Sequence, residues 1–315
     1  MIHLSYEEVY STITMKEVIE EIEAFYLDPT KHHAVVPDRL FVEDGENTAI
    51  LKPSFFDEFY TAKLVGIAPG NANRGEPTLK GMVFLSDRST MEPLGLFDAK
   101  SITALRTGAL AGLSIRHLTD PHLSSVGIIG TGEQGWSHLE AALAVRPITD
   151  VYINNRSAER LKTFKEQVQS HFEHLNVHEV DAHELVRSAD IIIATTTSTT
   201  PVLPEYKEVD YAGKHIAASG SFRPHMQEIP ASVLKHANRM FVDTYAAFHE
   251  SKDMIVAREH GKDEDSVFTL DDLINQASFN TDAQNRELTI FKSVGKSIYD
   301  LITARLLYKK LKQIV

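Results

Sequence analysis

The chain has 315 residues, 32 Lys and Arg against 44 Asp and Glu, no cysteine, and a net charge of −12. An acidic balance of this size argues against nucleic acid and anionic membranes, which need a basic face, and the absence of cysteine excludes disulfides, Cys-ligated zinc and thiol nucleophiles. The length accommodates a large core and two domains. No signal peptide is expected in MIHLSYEEVYS, no apolar run approaches the roughly 20 residues of a membrane span, and a cytoplasmic protein is the expectation.

Ser5-x-x-Glu8 and Thr14-x-x-Glu17 read as two capping boxes in series, opening a short helix and a longer one that Asp28-Pro29 stops after Leu27. From Val35 to Phe97 the pattern becomes that of strands: a hairpin around Asp44-Gly45, then runs at Tyr60–Ile67, Gly81–Leu85 and Leu94–Phe97. A long helix follows over about Ala99–His117. Three cations stand out in this half. Arg39 precedes the hairpin, Lys63 lies among apolar neighbours in a strand, and Arg106 lies in a helix otherwise made of small and apolar residues. Charges so placed are costly unless paired. They read equally well as buried ion pairs or snorkelling side chains and as a clamp for a carboxylate beside a reacting nitrogen.

Residues 125–135, SVGIIGTGEQG, are a β-branched run feeding into Gly130-x-Gly132-x-x-Gly135. The spacing suits a dinucleotide: Gly130 for the tight turn, Gly132 for backbone approach to the pyrophosphate, Gly135 for close helix–strand packing. A helix from Gln134 to about Val145 then directs its first amides at the phosphates. A ligand-free βα turn is the alternative. The next strand ends in Asn154-Asn155-Arg156, with no acid for a ribose 2′-hydroxyl. Arg156 suits a 2′-phosphate, so NADPH is favoured and NADH is the alternative; a solvated charge opening the next helix is the bland reading. Strands at Val151–Asn154, Asp190–Thr195, His215–Ser219 and Met240–Asp243 alternate with helices, the mark of a doubly wound parallel sheet. The last segment, Phe291–Ile314, reads as an amphipathic helix returning to the N-terminal domain. The fifteen histidines are scattered without a metal-binding frame, so no metal is expected. Gly295-Lys296-Ser297 lacks the upstream glycine of a phosphate loop, Ile290 standing there instead.

Blocks along the chain resemble the ornithine cyclodeaminase/mu-crystallin family: Lys63 in its strand, GMVFLSDRSTMEPLGLFDA (81–99), SITALRTGAL (101–110), GIIGTGEQ (127–134), ADIIIATTTSTTPVL (189–203), GSFRPHMQEIP (220–230) and TIFKSVGKSIYDLITARLLY (289–308). The resemblance implies a Rossmann-type NAD(P)-binding domain (122–290). It also implies a mixed α/β substrate-binding and dimerisation domain (1–121 with 291–315), and a homodimer. It carries substrate-binding roles onto Arg39, Lys63 and Arg106. Cofactor contacts carry over onto Thr78, the loop Gly130, Thr131, Gly132, Glu133, Gln134 and Gly135, and onto Asn155, Arg156, Thr196, Ser219 and Ser293. Phe222 stands where the cyclodeaminases carry an acid that activates the attacking amine, and phenylalanine takes no proton. The block 220–230 is similar to that of bacterial Δ1-pyrroline-2-carboxylate reductases. The expected activity is therefore NADPH-dependent reduction of a cyclic imino acid. Ornithine cyclodeaminase, an amino-acid dehydrogenase and a non-catalytic NADPH-binding protein are the alternatives, in that order.

Overall fold

The structure is a computed structural model that describes residues 1–276, 279 and 286–313. The chain packs as two compact units, 1–106 with 296–315 and 107–295. The first contains β1 (Ile2–Leu4), α1 (Tyr6–Thr12), α2 (Met15–Leu27), β2 (Leu40–Asp44), β3 (Asn47–Phe56), β4 (Phe59–Ile67), β5 (Leu79–Asp87), β6 (Pro93–Asp98), the start of α3 (Ala99–Leu118), and α11 (Ser297–Gln313) at the end of the chain. Both capping boxes form, Ser5 with Glu8 and Thr14 with Glu17, each satisfying two otherwise orphaned amides.

The six strands lie in the order β1-β6-β5-β4-β3-β2, antiparallel except for the β1–β6 pair. Helix α11 packs on β3, β4 and β5 of this sheet and on α2. Along β4 the period of two is clean: Phe59, Thr61, Lys63 and Val65 are buried, while Leu64 and Gly66 are exposed. The buried face is the one under α11, because Ser54, opposite Thr61, donates from its hydroxyl to the carbonyl of Ser297 at 3.2 Å. Arg305 of α11 reaches Glu21 at 2.7 Å, and Tyr26 and Tyr299 join hydroxyls at 2.6 Å in the core.

The second unit continues from α3 into β7 (Ser125–Ile129), α4 (Glu133–Val145), β8 (Asp150–Asn154), α5 (Ala158–His171), β9 (Asn176–Glu179), α6 (Ala182–Ser188), β10 (Ile191–Ala194) and β11 (His215–Ala218). It ends with α7 (Ala231–His236), β12 (Arg239–Val242), α8 (Ala247–Glu250), α9 (Lys252–Glu259), β13 (Val267–Thr269), α10 (Leu270–Asn275) and β14 (Thr289–Lys292). The eight strands are all parallel, in the order β13-β12-β14-β11-β10-β7-β8-β9. Two apolar cores cover the faces of this sheet, as a doubly wound arrangement requires. Among the described residues, no helix is long and apolar enough to cross a membrane.

One expectation needs correction. The terminal helix begins at Ser297, not Phe291, because Thr289–Lys292 is a strand lying between β11 and β12. All four of its residues are buried, and a short run buried on both faces has no amphipathic period to distinguish it from the start of a helix.

Candidate active site and cofactor loop

The first unit assembles a cluster of cations around one carboxylate. Lys63 and Lys52 are directly opposed across β4 and β3, so their side chains leave the sheet on the same face. Leu40 opposes Leu51 at the start of β2, and Arg39 immediately precedes that strand, close enough for its charge to act on Lys52. Lys52 and Lys63 thus form a row across two neighbouring strands, with Arg39 near by. Above the row stand Arg106 from α3 and Asp300 from the first turn of α11. The Lys63 ammonium donates to Asp300 Oδ1 at 3.0 Å and to the hydroxyl of Thr103, and Arg106 Nε lies 3.3 Å from the same Oδ1. Lys63, Arg106 and Asp300 are all buried.

The electrostatics follow from this placement. Burial pushes the Asp300 carboxyl up, but Lys63, Arg106 and Lys52 together outweigh it and hold the group below the ordinary carboxylate range. Burial lowers the Lys63 amine, with Asp300 pulling the other way. The half-buried Lys52 amine is lowered to about 7, first by desolvation and then by the Arg106 charge. Asp300 Oδ2 is buried without a hydrogen-bond partner, and the terminal nitrogens of Arg106 make no hydrogen bond to a described residue. A guanidinium fork left open beside a positive surplus has the chemistry to receive a small carboxylate. Sequence reasoning picked out Arg39, Lys63 and Arg106 but missed Asp300, Thr103 and Lys52. The cost of burying Lys63 and Arg106 demands an acid, and the lone acid in the buried stretch Ser297–Arg305 was the available signal.

In the second unit the carboxyl ends of the parallel strands line up. Ile129 pairs with Asn154 and Ala194, Ala194 with Ala218, and Ala218 with Lys292, so the Gly130 loop, Asn155, Thr196, Ser219 and Ser293 share one edge. Gly130 has φ +103, and a Cβ on Gly135 would lie 2.2 Å from the Gly130 carbonyl oxygen, so the turn and the close helix approach both need glycine. Gly132 differs: a Cβ there meets nothing within 4 Å. It caps α4 without a side-chain hydrogen bond, leaving the first-turn amides open to an anion. Thr131 Oγ1 and Gln134 Oε1 are buried in this loop without a partner. These features fit a dinucleotide pyrophosphate.

The strand tips beside the loop are braced from below. Glu228 accepts from the amides of Thr196, Gly220 and Ser221 at 2.5, 2.8 and 2.9 Å. Asp253 in turn accepts from the amides of Glu228 and Ile229, and the fully buried Lys292 ammonium lies 3.3 Å from Asp253 and 3.7 Å from Glu228. Ser219 is oriented by His138. His138 Nδ1 donates to the Gln134 carbonyl at 2.7 Å, which leaves Nε2 to accept the Ser219 hydroxyl hydrogen at 3.0 Å. Ser293 donates to Asp243 at 2.9 Å. Neither His138 nor Lys292 was singled out from the sequence. Arg156 is exposed and has no hydrogen bond or ion pair with a described residue, while Asn155 donates to the Ser157 carbonyl at 3.4 Å. Thr78 belongs to the first unit, exposed at the entry to β5 beside an open groove of about 360 Å³. Among the described residues no group of three His, Asp or Glu is placed to hold a metal ion.

Comparison with known proteins bears on this architecture. The chain is 35% identical over 317 residues to a Δ1-pyrroline-2-carboxylate reductase of Bacillus cereus, covering 98% of this chain and 96% of that one. It is 33% identical to a Δ1-pyrroline-2-carboxylate/Δ1-piperideine-2-carboxylate reductase of Azospirillum brasilense, covering 86% and 83%. Among solved structures, the Δ1-pyrroline-2-carboxylate reductase of Thermococcus litoralis in complex with NADH and L-proline superposes with a TM-score of 0.90 at 31% identity, covering 100% of this chain and 99% of that one. The family described as ornithine cyclodeaminase/mu-crystallin matches residues 2–314, and the chain belongs to it.

Proposed function

We propose that this protein reduces cyclic imino acids with NADPH, Δ1-pyrroline-2-carboxylate to L-proline and the six-membered Δ1-piperideine-2-carboxylate to L-pipecolate. The observation that carries the reading is the open Arg106 fork beside Lys63, with both cations anchored on the buried Asp300. Arg106, with Arg39, takes the substrate carboxylate. Lys63, fixed by Asp300 and Thr103, polarises the ring nitrogen and makes C2 electrophilic. The bound nicotinamide supplies the hydride. The chain's own contribution is position and field.

The cofactor is held by the Gly130–Gly135 loop with Thr131, Glu133 and Gln134, by Asn155, Thr196, Ser219 and Ser293, and by Thr78. The exposed, unpaired Arg156 supports a preference for the 2′-phosphate of NADPH. Cyclodeamination of ornithine is disfavoured by chemistry. Phe222 offers no base, and Glu228, the nearest acid in its block, is fully buried and accepts three backbone amides.

The test is a pair of assays on the purified protein. Incubation with NADPH and Δ1-pyrroline-2-carboxylate is expected to consume reduced nicotinamide and yield L-proline. Incubation with L-ornithine and NAD is expected to release negligible ammonia. Ammonia and proline formed from ornithine, without imine reduction, would replace the reading with cyclodeamination.

A further inference from the structure

Reduction of an imine needs two partners, a hydride at carbon and a proton at nitrogen, and the cation row contains two amines that differ in how they are held. Lys63 is 4% exposed, and two of its three hydrogens are committed to Asp300 and Thr103. Releasing a proton there would strip a buried carboxylate of its 3.0 Å partner, a costly step in a desolvated site. Lys52 stands directly opposite on the same face. The residue keeps partial exposure, and it makes no hydrogen bond or ion pair with any described residue. The groups that act on it are Arg39 beyond β2, Lys63 on β4, Arg106 on α3 and Asp300 on α11: three cations against one carboxylate. Such a surplus of positive charge favours giving a proton away.

We propose that Lys52 is the proton donor to the imine nitrogen, while Lys63 stays charged as a fixed electrostatic group; this rests on the imine-reductase reading above. Its acidity suits the task, because an amine lowered to about 7 is poised near neutral pH, where a general acid is most effective. In the step, the C=N π bond breaks and its electron pair takes the proton from the Lys52 ammonium. Hydride from the reduced nicotinamide forms the new C2–H bond, and the neutral Lys52 amine is reprotonated from water. One hydride and one proton add across the double bond, the nicotinamide is oxidised, and charge balances. A substrate carboxylate arriving at Arg106 draws Lys52 toward its ammonium form, so the donor is loaded when substrate binds.

The experiment compares the unaltered protein with Lys52→Met and Lys52→Arg, and titrates the lysine Cε resonances of selectively labelled protein by NMR. Arginine keeps the charge but cannot release its proton, so it separates a proton donor from a carboxylate anchor. Both variants are expected to lose about 100-fold or more in kcat, the usual contribution of a positioned general acid, with KM for the imine changed far less and NADPH binding retained. The unaltered protein is expected to show a lysine titration near neutrality that is absent from both variants. Its rate is expected to fall as pH rises through that titration, a limb that both variants lack. Retention of most of kcat by Lys52→Arg, or by Lys52→Met, would overturn the inference, as would a labelled protein in which every lysine titrates in the ordinary range. Failure of the unaltered protein to reduce either imine would instead overturn the proposed function, and the NMR titration would then judge Lys52 by itself.

Discussion

Asp300 shows how one buried side chain is bound up with both stability and chemistry. Its carboxylate pairs with Lys63 at 3.0 Å and Arg106 at 3.3 Å at almost no exposure, so removing its charge strands two buried cations. Asp300→Asn keeps the shape and is expected to cost about 3–5 kcal/mol in urea unfolding at neutral pH, the usual penalty for breaking a buried pair from one side. The sign with pH is fixed by the lowered carboxyl. Unfolding restores the ordinary affinity for a proton, so this contribution is whole above the unfolded carboxylate range. It is lost as pH falls through that range toward the lower folded value. The gap between the unaltered protein and Asp300→Asn should therefore narrow on acidification, and a gap constant from neutral to strongly acid pH would refute the pairing. Arg156 poses the opposite case, an exposed charge whose proposed partner is the cofactor. Arg156→Ala should weaken NADPH by roughly 1.5–3 kcal/mol, the scale of a charged hydrogen bond, and leave NADH nearly unchanged. Equal affinity of the unaltered protein for the two, measured by fluorescence titration, would remove the premise.

At the scale of elements, the βα unit β7–α4 separates packing from binding within a single glycine motif. Gly135→Ala sets a Cβ 2.2 Å from the Gly130 carbonyl, so strand and helix must move apart. A loss of about 1–3 kcal/mol in stability is expected from such overpacking. Gly132→Ala meets no protein atom within 4 Å and should unfold like the parent, yet its methyl enters the space proposed for the pyrophosphate. Calorimetry should find Gly132→Ala as stable as the parent and deficient in NADPH binding; normal binding would refute the placement. These glycines were legible because the motif carries its own local reason, as did the capping boxes of α1 and α2. The strands β1, β9, β13 and β14 were not: at three or four residues a strand shows no period, and the equally short β10, β11 and β12 were legible only through their place in the strand–helix alternation. The site divides in the same way. Arg39, Lys63 and Arg106 were visible as misplaced charges and through the family resemblance, whereas Lys52 sits in a strand of mixed burial where a lysine looks unremarkable. Asp300 acquires its meaning only when α11 is laid on β3 and β4, a long-range placement that no local pattern contains.

For the whole molecule, the two faces of the first sheet pose different problems. One is covered by α11 and carries the cation row. On the other, the register aligns Leu40, Leu51, Leu64 and Met82 across β2, β3, β4 and β5. Leu40, Leu51 and Leu64 are 57%, 38% and 55% exposed, and Val42 on the same face is 48% exposed. Isolated exposed leucines are ordinary, but a contiguous row on adjacent strands forms a patch of the kind that marks an interface. We propose that a second copy of this chain covers it, giving the homodimer that the family resemblance implies. A two-fold interface presents the same patch from both copies, so one substitution in the row acts twice. Leu64→Glu would bring two carboxylates into an apolar contact and should convert a dimer to a monomer in sedimentation equilibrium. Its folding should be preserved, since Leu64 points away from the core under α11. A parent that sediments as a monomer, or a Leu64→Glu variant that remains dimeric, would place the interface elsewhere and leave this row unexplained.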